Sequence, residues 1–387
     1  MWYFVSPQIV FGEDALDALD ELEGQRALII TDKTVVALGF AARVQVHLAK
    51  AGITCALFDE VEPEPTSETV LRGAQIANQT QPDWIIGLGG GSPMDAAKGI
   101  WVLYERPDLV PLDINPLARL GLRKKAHLIT IPTTSGTGSE ANWCIVLSDH
   151  QSKRKLGLGN RENVPDIAIV DPSLTVSMPA ELTTDTGLDA LAHAVEGYTC
   201  TWHTDLTDGM CINAARLVLG YLPRAVANGS DMEARQHMHN AAVCGGLGFG
   251  NAMASLAHAL GHSLGAVFHL PHGRVVGLCL PYTIEFSVRE APQRFAELAA
   301  ILGISRDDGE MAARQLASRL RELSRQIGAP TNLAEANIER TNFESALDLL
   351  VENAMNDTQM LTAPRVPNYE QLHRLFLYIF DGKPVDF

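Results

Sequence analysis

The pattern of apolar residues changes near residue 178, and this change limits the folds that the chain can adopt. Before it, short apolar runs alternate with stretches of helical periodicity. The strand-like runs are RALIITD (26–32), TCALFDEV (54–61), DWIIGLGGGS (83–92), HLITIPTT (127–134) and DIAIVDP (166–172). Apolar strands that alternate with helices predict a parallel sheet covered on both faces.

After residue 178 the strand pattern is absent, and long helical patterns follow, such as GLDALAHAVEGY, EMAARQLASRLRELSRQIG and ESALDLLVENAM. A chain of 387 residues also exceeds the size at which a single hydrophobic core usually stops growing. We therefore predict two domains, an α/β domain over residues 1–178 and an all-α domain over residues 179–387.

Charge and cysteine content exclude several classes of protein. A net charge of −16 opposes binding to nucleic acid and to anionic membranes, which both require a cationic surface. The N-terminal residues lack the features of a secretory signal, and no apolar run is long enough for a membrane helix. The six cysteines are widely spaced and include no CxxC, so we expect neither a thiolate zinc site nor a disulfide framework, and we expect a cytoplasmic location.

A glycine-rich motif, GLGGGSPMDAAKG (87–99), joins a predicted strand to a predicted helix. Glycines allow close approach of a ligand, and free N–H groups at a helix start favour a phosphate. A tight turn without a ligand explains a lone glycine run equally well. The second loop, TTSGTGSE (133–140), also follows a strand and is rich in hydroxyls, which favours a nucleotide site at the carboxyl ends of the strands.

The acidic residue expected near a nucleotide ribose has an unusual sequence position in this chain. In the usual dinucleotide fingerprint it follows the glycines by about 20 residues, whereas Asp32 in IITDKT precedes them by more than fifty. A carboxylate in that role would repel the 2′-phosphate of NADP and favour NAD. The alternative is that Asp32 only caps a helix or a turn.

Four histidines occur in SLAHALGHSLGAVFHLPHG (255–273), within a segment (236–273) that contains no Asp, Glu, Lys or Arg. Many imidazoles in neutral surroundings indicate a buried site. In GLDALAHAVEGY, Asp189 and His193 are four residues apart and so project from one helix face. This spacing suits chelation, although a lone pair of this kind is more often a surface feature.

Helix geometry restricts how the other histidines could join such a site. His258 and His262 share a helix face, but His272 would lie about 21 Å from His258 along a continuous helix. The chain must therefore turn back, and Pro271 provides a break. Asp189, His193 and these three histidines are one ligand more than the four positions of a tetrahedral site. Such a set suits Fe(II) or Zn(II), and the alternative is hydrogen-bonded core histidines.

The motifs GGGSPMDAAK, IPTTSGTGSE, DALAHAVEGY, AHALGH and PHG resemble, in order and spacing, those of the iron-containing (group III) alcohol dehydrogenases. The resemblance covers nearly the whole chain and implies a dehydroquinate synthase-like fold with a dinucleotide-binding domain and a helical metal-binding domain. It also implies hydride transfer between NAD and small primary alcohols or diols and their aldehydes, with the substrate oxygen on Fe2+ or Zn2+. A homodimer and a small-molecule substrate are further implications.

The resemblance also implies a role for individual residues. The implied metal ligands are Asp189, His193, His258 and His272. The implied NAD contacts are Asp32, Gly90, Gly91, Ser92, Asp95, Thr133, Thr134, Thr137 and Lys155. The implied substrate contacts are Phe249, His262 and Gln359, with His262 beside the nicotinamide as the catalytic proton relay.

Two features remain open at this point. The segment TAPR (362–365) departs from the TNPR-like segment of many family members, which puts the substrate in doubt, and His269 has no assigned role. The alternative functions are an NAD- and metal-dependent lyase or synthase on the same scaffold, which would show no net NADH change, and a protein that binds without catalysis.

Overall fold

The structure is a computed structural model that describes residues 3–149 and 154–387. The chain forms two compact units, an N-terminal unit (Met1–Ser177) and a C-terminal unit (Met178–Phe387). No helix in the described ranges is both long enough and apolar enough to span a bilayer.

The N-terminal unit alternates strands with helices, as the sequence pattern predicts. Its strands are β1 (Gln8–Phe11), β2 (Arg26–Ile30), β3 (Thr54–Phe58), β4 (Trp84–Gly89), β5 (His127–Pro132), β6 (Cys144–Asp149), β7 (Arg154–Gly159) and β8 (Ile167–Val170). Its helices are α1 (Lys33–Ala37), α2 (Phe40–Lys50), α3 (Ser67–Thr80) and α4 (Gly91–Glu105).

In the part of the chain that the structure describes, six strands form a parallel sheet in the order β1-β8-β5-β4-β2-β3. Successive residues along β2 enter different apolar clusters: Leu28 and Ile30 pack in one, and Ala27 and Ile29 in the other. Because side chains alternate along a strand, the two clusters lie on opposite faces of the sheet. The prediction of a parallel sheet buried on both faces is therefore confirmed.

Three strands were not predicted from the sequence. β1 forms an edge of the sheet and is only half-buried, so it lacks the apolar run that marks the central strands. β6 and β7 pair with each other as an antiparallel ribbon outside the main sheet.

The C-terminal unit is mainly helical, which confirms the predicted change of fold class. Its helices are α5 (Ala180–Thr199), α6 (Asp205–Ala227), α7 (Met232–Ala252), α8 (Leu256–Phe268), α9 (His272–Ser287), α10 (Pro292–Ile301), α11 (Gly309–Gln326), α12 (Arg340–Met355) and α13 (Tyr369–Asp381). α5 is buried along nearly its whole length and packs against α6, α7 and α9. Its polar side chains are therefore held in the interior of this unit.

Close helix packing around α5 depends on a glycine at the start of α9. A β-carbon on Gly273 would lie 2.1 Å from the carbonyl oxygen of Asp185 and 2.8 Å from the β-carbon of Asp189. No larger residue fits there without moving one of the two helices. The glycine therefore brings the first residue of α9, His272, close to α5.

Candidate functional site

Helix α5 carries three polar side chains into the interior of the C-terminal unit. Asp189, His193 and Glu196 are all buried, and their spacing of four and then three residues places them on one face of the helix.

A sharp turn brings α8 and α9 together, as their histidine spacing requires. α8 ends at Phe268, His269 adopts a left-handed backbone conformation (φ 54°), and α9 begins directly after Pro271. His258 near the start of α8 thereby approaches His272 at the start of α9, with their ring centroids 5.5 Å apart. The exposed His269 is the C-cap residue of α8.

The predicted metal ligands converge on one carboxylate oxygen. Oδ1 of Asp189 lies 3.5 Å from Nε2 of His272, 3.7 Å from Nε2 of His258 and 3.9 Å from Nε2 of His193. Ligands about 2.0–2.2 Å from a tetrahedral ion are separated by about 3.4 Å. Among the described residues, potential ligand atoms of Asp189, His258 and His272 all lie within 4.8 Å of one another.

Two atoms of this cluster lack a hydrogen-bonding partner in the described structure although they are buried, namely Oδ1 of Asp189 and Nε2 of His258. Buried polar atoms nearly always have a hydrogen-bonding partner. These atoms face one another but lie too far apart for a hydrogen bond, so a cation between them would satisfy them. One carboxylate and several imidazoles, without a thiolate, are a donor set that suits Fe2+ or Zn2+.

The electrostatics of the cluster favour positive charge. Burial raises the pKa of Asp189, but His193 and His272 outweigh it and hold that pKa below its usual value. Burial lowers the pKa of His258, but Glu196 and Asp189 outweigh it and raise the pKa to about 10. The carboxylates therefore create a buried region that attracts a proton or a metal ion.

The side chain of His193 is held between two rings. It stacks on Phe249 at a centroid distance of 3.9 Å and on His258 at 4.6 Å. Phe249, which the resemblance assigns to the substrate pocket, thus packs against a predicted metal ligand. Its contact with substrate stays a prediction.

Sequence reasoning missed Glu196, which orients His258. Its Oε2 lies 2.5 Å from Nδ1 of His258, and its Oε1 accepts a hydrogen bond from the backbone N–H of Ala257. Because a carboxylate only accepts, Nδ1 carries the proton and Nε2 is left to face Asp189. The spacing of Glu196 from His193 on the same helix face was a signal that could have identified it.

Sequence reasoning also missed Asp357, which contacts His262. Oδ2 of Asp357 lies 2.7 Å from Nδ1 of His262, and its Oδ1 accepts from the backbone N–H of Gln359. Burial raises the pKa of Asp357, but His262 and the backbone outweigh it and lower the pKa. No local pattern links residues 95 positions apart, so only the folded chain reveals this pair.

Gln359 follows Asp357 in a short 3-10 segment, Thr358–Thr362. Its Oε1 is buried and has no hydrogen-bonding partner within the described residues. The atom is therefore available as an acceptor, and the predicted contact of Gln359 with substrate remains to be tested.

In the N-terminal unit, the two predicted nucleotide loops pack against each other. α4 begins at Gly91, two residues after β4 ends. A β-carbon on Gly91 would lie 2.9 Å from Cγ2 of Thr137, and one on Gly90 would lie 3.5 Å from Oγ1 of Thr134. Thr133 donates its backbone N–H to the carbonyl oxygen of Gly89 at 2.9 Å. The structure thus brings together five of the predicted nucleotide contacts at the carboxyl ends of β4 and β5.

Asp95 lies within this loop pair but is engaged by protein groups. Its carboxylate accepts from Oγ of Ser139 at 2.5 Å and from the backbone N–H of Val146 at 2.9 Å. Buried Lys98 donates to Ser139 and to the carbonyl oxygen of Cys144. Asp95 therefore ties α4 to the second loop, and a direct contact with nucleotide stays a prediction.

The remaining predicted nucleotide contacts have protein partners of their own. Asp32 follows β2 and caps α1, because its Oδ1 accepts from the backbone N–H of Val35 at 2.9 Å. The capping interpretation of Asp32 thus describes its contact in the structure, and its ribose contact stays a prediction. Oγ of Ser92 accepts from the backbone N–H of Glu64, and Nζ of Lys155 lies 2.5 Å from the Glu64 carboxylate.

Both halves of the chain match one protein family. Residues 6–172 match the family described as iron-containing alcohol dehydrogenase, and residues 183–380 match the C-terminal part of the Fe-containing alcohol dehydrogenase family. These two matches together cover most of the chain.

Individual proteins are similar over the full length. The NADPH-dependent butanol dehydrogenase of Clostridium saccharobutylicum is 36% identical over 390 residues, with 100% of each chain covered. The NAD-dependent methanol dehydrogenase of Bacillus methanolicus is 32% identical, covering 96% of this chain and 98% of that protein. A crystal structure of 1,3-propanediol oxidoreductase superposes with a TM-score of 0.92 at 31% identity, covering 98% of this chain and 100% of the other.

Proposed function

The chain belongs to the iron-containing alcohol dehydrogenase family, and we propose that it interconverts small primary alcohols or diols and their aldehydes with NAD(H) and one divalent metal ion. Membership makes it an oxidoreductase that uses iron and NAD(P) to act on alcohols. The preference for NAD, the metal ligands and the size of the substrate are the parts that we propose. The butanol, methanol and propanediol enzymes similar to this chain are dehydrogenases, and none of them favours the lyase alternative.

The observation that carries the proposal is the convergence of three imidazole nitrogens on one buried carboxylate oxygen, at 3.5–3.9 Å. The ligands that we propose are Asp189, His193, His258 and His272. A metal ion bound there supplies Lewis-acid chemistry, which lowers the pKa of an alcohol or polarises a carbonyl. No side-chain nucleophile is required for this reaction.

Oxidation of an alcohol releases one hydride from carbon and one proton from oxygen. A bound NAD+ would supply the hydride acceptor, and we propose that His262 takes the proton at Nε2. Its Nδ1 is engaged by Asp357 at 2.7 Å, so Nε2 is the nitrogen left for this work. In the reverse direction the same nitrogen returns the proton.

The N-terminal unit supplies the nucleotide loops. Backbone N–H groups at the start of α4, from Gly91 and Ser92, would receive the pyrophosphate, because a helix start attracts anions. The packing of Thr134 and Thr137 against the glycines supports a shared loop surface. Asp95 and Lys155 are two further proposed nucleotide contacts, and Lys155 would contact the ribose.

Asp32 would set the preference for NAD, because a carboxylate repels the additional phosphate of NADP. The relatives differ in this property, since one is named for NADPH and another for NAD. Steady-state rates with each nucleotide provide the test, with Asp32→Gly as the variant. We expect wild type to prefer NADH and the variant to lose that preference; an NADPH preference in wild type would contradict the assignment.

The test of the whole function is an NADH-oxidation screen over short aldehydes, with enzyme stripped of metal and then supplied with Fe2+ or Zn2+. We expect turnover only after metal is restored. Asp189→Asn is expected to lose both metal retention and turnover. Full turnover of a metal-free preparation, or no net NADH change with any aldehyde, would contradict the proposal.

The substrate pocket would include Phe249 and Gln359, and small alcohols or diols are the proposed substrate class. We also propose a homodimer, which rests on the family resemblance and which light scattering would test. A cytoplasmic location is proposed because the six cysteines are free thiols.

A further inference from the structure

Asp357 is placed to act through His262. Its Oδ2 lies 2.7 Å from Nδ1 of the imidazole, and the two side chains are only 15% and 16% exposed. An ion pair or hydrogen bond so shielded from water restricts both groups more strongly than an exposed one does. The contact therefore limits the orientations that the His262 ring can adopt.

The position of the carboxylate is itself restricted by the backbone. Oδ1 of Asp357 accepts from the N–H of Gln359 at 2.8 Å and caps the segment Thr358–Thr362. The end of that segment is bound on two sides: Thr362 donates its hydroxyl to the carbonyl oxygen of Ala254 and accepts from the backbone N–H of Thr201. Asp357 thus holds His262 from a segment that is tied to two other parts of the C-terminal unit.

The carboxylate also determines where the imidazole proton lies. A carboxylate has no proton to donate, so Nδ1 of His262 must carry the hydrogen of the shared bond. Nε2 then has a lone pair and can accept a proton. The ring lies alongside His272, with centroids 5.1 Å apart and planes 19° apart, so it borders the proposed metal ligands.

We propose that Asp357 is a positioning residue for alcohol oxidation, which holds His262 in the tautomer and orientation that leave Nε2 free to accept the alcohol proton. This inference rests on the proposed function. During oxidation the alcohol O–H bond breaks, its proton passes to Nε2, and the hydride passes from carbon to NAD+. Asp357 stabilises the imidazolium so formed, and the imidazolium returns the proton during aldehyde reduction.

The first test is Asp357→Asn. The N–H of Gln359 requires an oxygen acceptor, so the amide NH2 of the new side chain would face His262. Nδ1 would then have to accept, and the proton would move to Nε2, where it blocks proton uptake. We expect kcat for alcohol oxidation to fall by about 10²-fold, with KM for the alcohol and metal content little changed.

A second variant separates capping from positioning. Asp357→Ser keeps a hydroxyl that can cap the segment but removes the partner of His262. We expect kcat to fall less than with Asp357→Asn, because serine leaves the tautomer of His262 unfixed without reversing it, and we expect an unchanged thermal midpoint. Asp231→Asn is the matched control, because Asp231 also caps a helix and pairs with a cation, Arg224, and its variant should retain wild-type kcat.

A double-mutant cycle with His262→Ala decides the route of action. If Asp357 acts through His262, Asp357→Asn should change kcat by less than about twofold when His262 is already replaced. A further tenfold loss in the double variant, loss of metal from Asp357→Asn, or full activity of His262→Ala would each overturn the inference. Absence of NAD(P)-linked turnover in wild type would instead overturn the proposed function.

Discussion

Two buried carboxylates and one partly buried carboxylate organise the C-terminal unit through individual contacts. Asp189 faces the imidazole nitrogens, Glu196 orients His258, and Asp357 orients His262. Each of the two orienting carboxylates also accepts a backbone N–H, so neither side chain can rotate freely. His258 and His262 lie on one face of α8, but different carboxylates orient them.

Replacing Glu196 by Gln should weaken metal binding. The amide can no longer accept from both Ala257 and His258, so the preferred tautomer of His258 is lost. Partners of this kind typically contribute about 10–100-fold to metal affinity. Competition with a chelator measures the metal affinity, and Glu322→Gln, at an exposed position, is the control. Equal affinities in wild type and in both variants would contradict the role of Glu196.

Glu140 makes the stability of the N-terminal unit depend on pH. Burial raises the pKa of this carboxyl to about 7, and its Oε1 has no hydrogen-bonding partner in the described residues. The folded state therefore prefers the protonated form, whereas the unfolded chain ionises near its usual pKa of about 4.5. Stability is highest below that value and falls as the pH rises towards 7.

Glu140→Gln should remove this dependence. The difference in thermal midpoint between variant and wild type should be small at pH 4.5 and should grow in favour of the variant up to about pH 7. The contribution is a few kcal/mol at most, at about 1.4 kcal/mol per pKa unit. Calorimetry across this range measures it, and parallel curves for the two proteins would contradict the assignment.

Helix positions in the C-terminal unit depend on how closely α9 approaches α5. The contact requires Gly273, because its missing side chain leaves room for the backbone of Asp185. Arg274 strengthens the same contact through two hydrogen bonds to the Asp185 carboxylate. Because Gly273 and Arg274 keep the start of α9 against α5, the neighbouring residue His272 lies near Asp189.

Gly273→Ala should separate α9 from α5 and displace His272. We expect loss of metal affinity and activity, and a destabilisation of about 1–3 kcal/mol, which is typical of overpacking. Gly220→Ala on α6 is the matched control, since its β-carbon would meet no atom within 4 Å. Metal titration and denaturant unfolding measure both effects, and metal binding by the variant at wild-type affinity would contradict this account.

The two proposed binding sites lie in different folding units of the chain. The parallel sheet offers strand ends where loops can receive a nucleotide, and the helical unit offers an interior where ligands from α5, α8 and α9 meet. The proposed metal ligands come from three helices, so an ion bound there would connect segments that are far apart in the chain.

Removing the metal should therefore lower the thermal midpoint of the C-terminal unit. An ion that binds only the folded state stabilises it by about 2.7 kcal/mol at a free concentration 100 times its Kd. We expect chelation to lower the midpoint and added Fe2+ or Zn2+ to restore it. Asp189→Asn is the control and should respond to neither treatment; identical midpoints for wild type with and without metal would contradict the proposed site.

Sequence patterns alone predicted the fold class, because strand and helix periodicities are local properties of the chain. They missed β1, which is a half-buried edge strand, and the β6–β7 ribbon. The glycine loops and the paired His and Asp residues were visible because their spacing is short. The choice among five candidate ligands came from the family resemblance and not from spacing.

The tertiary structure alone decided which groups support the candidate site. Asp357 meets His262 across 95 residues, and Glu196 meets His258 across 62. The tight approach at Gly273 likewise depends on how two helices pack. Such contacts depend on long-range packing, which no local pattern encodes, so the sequence determined the classes of element and their motifs while the fold decided their partners.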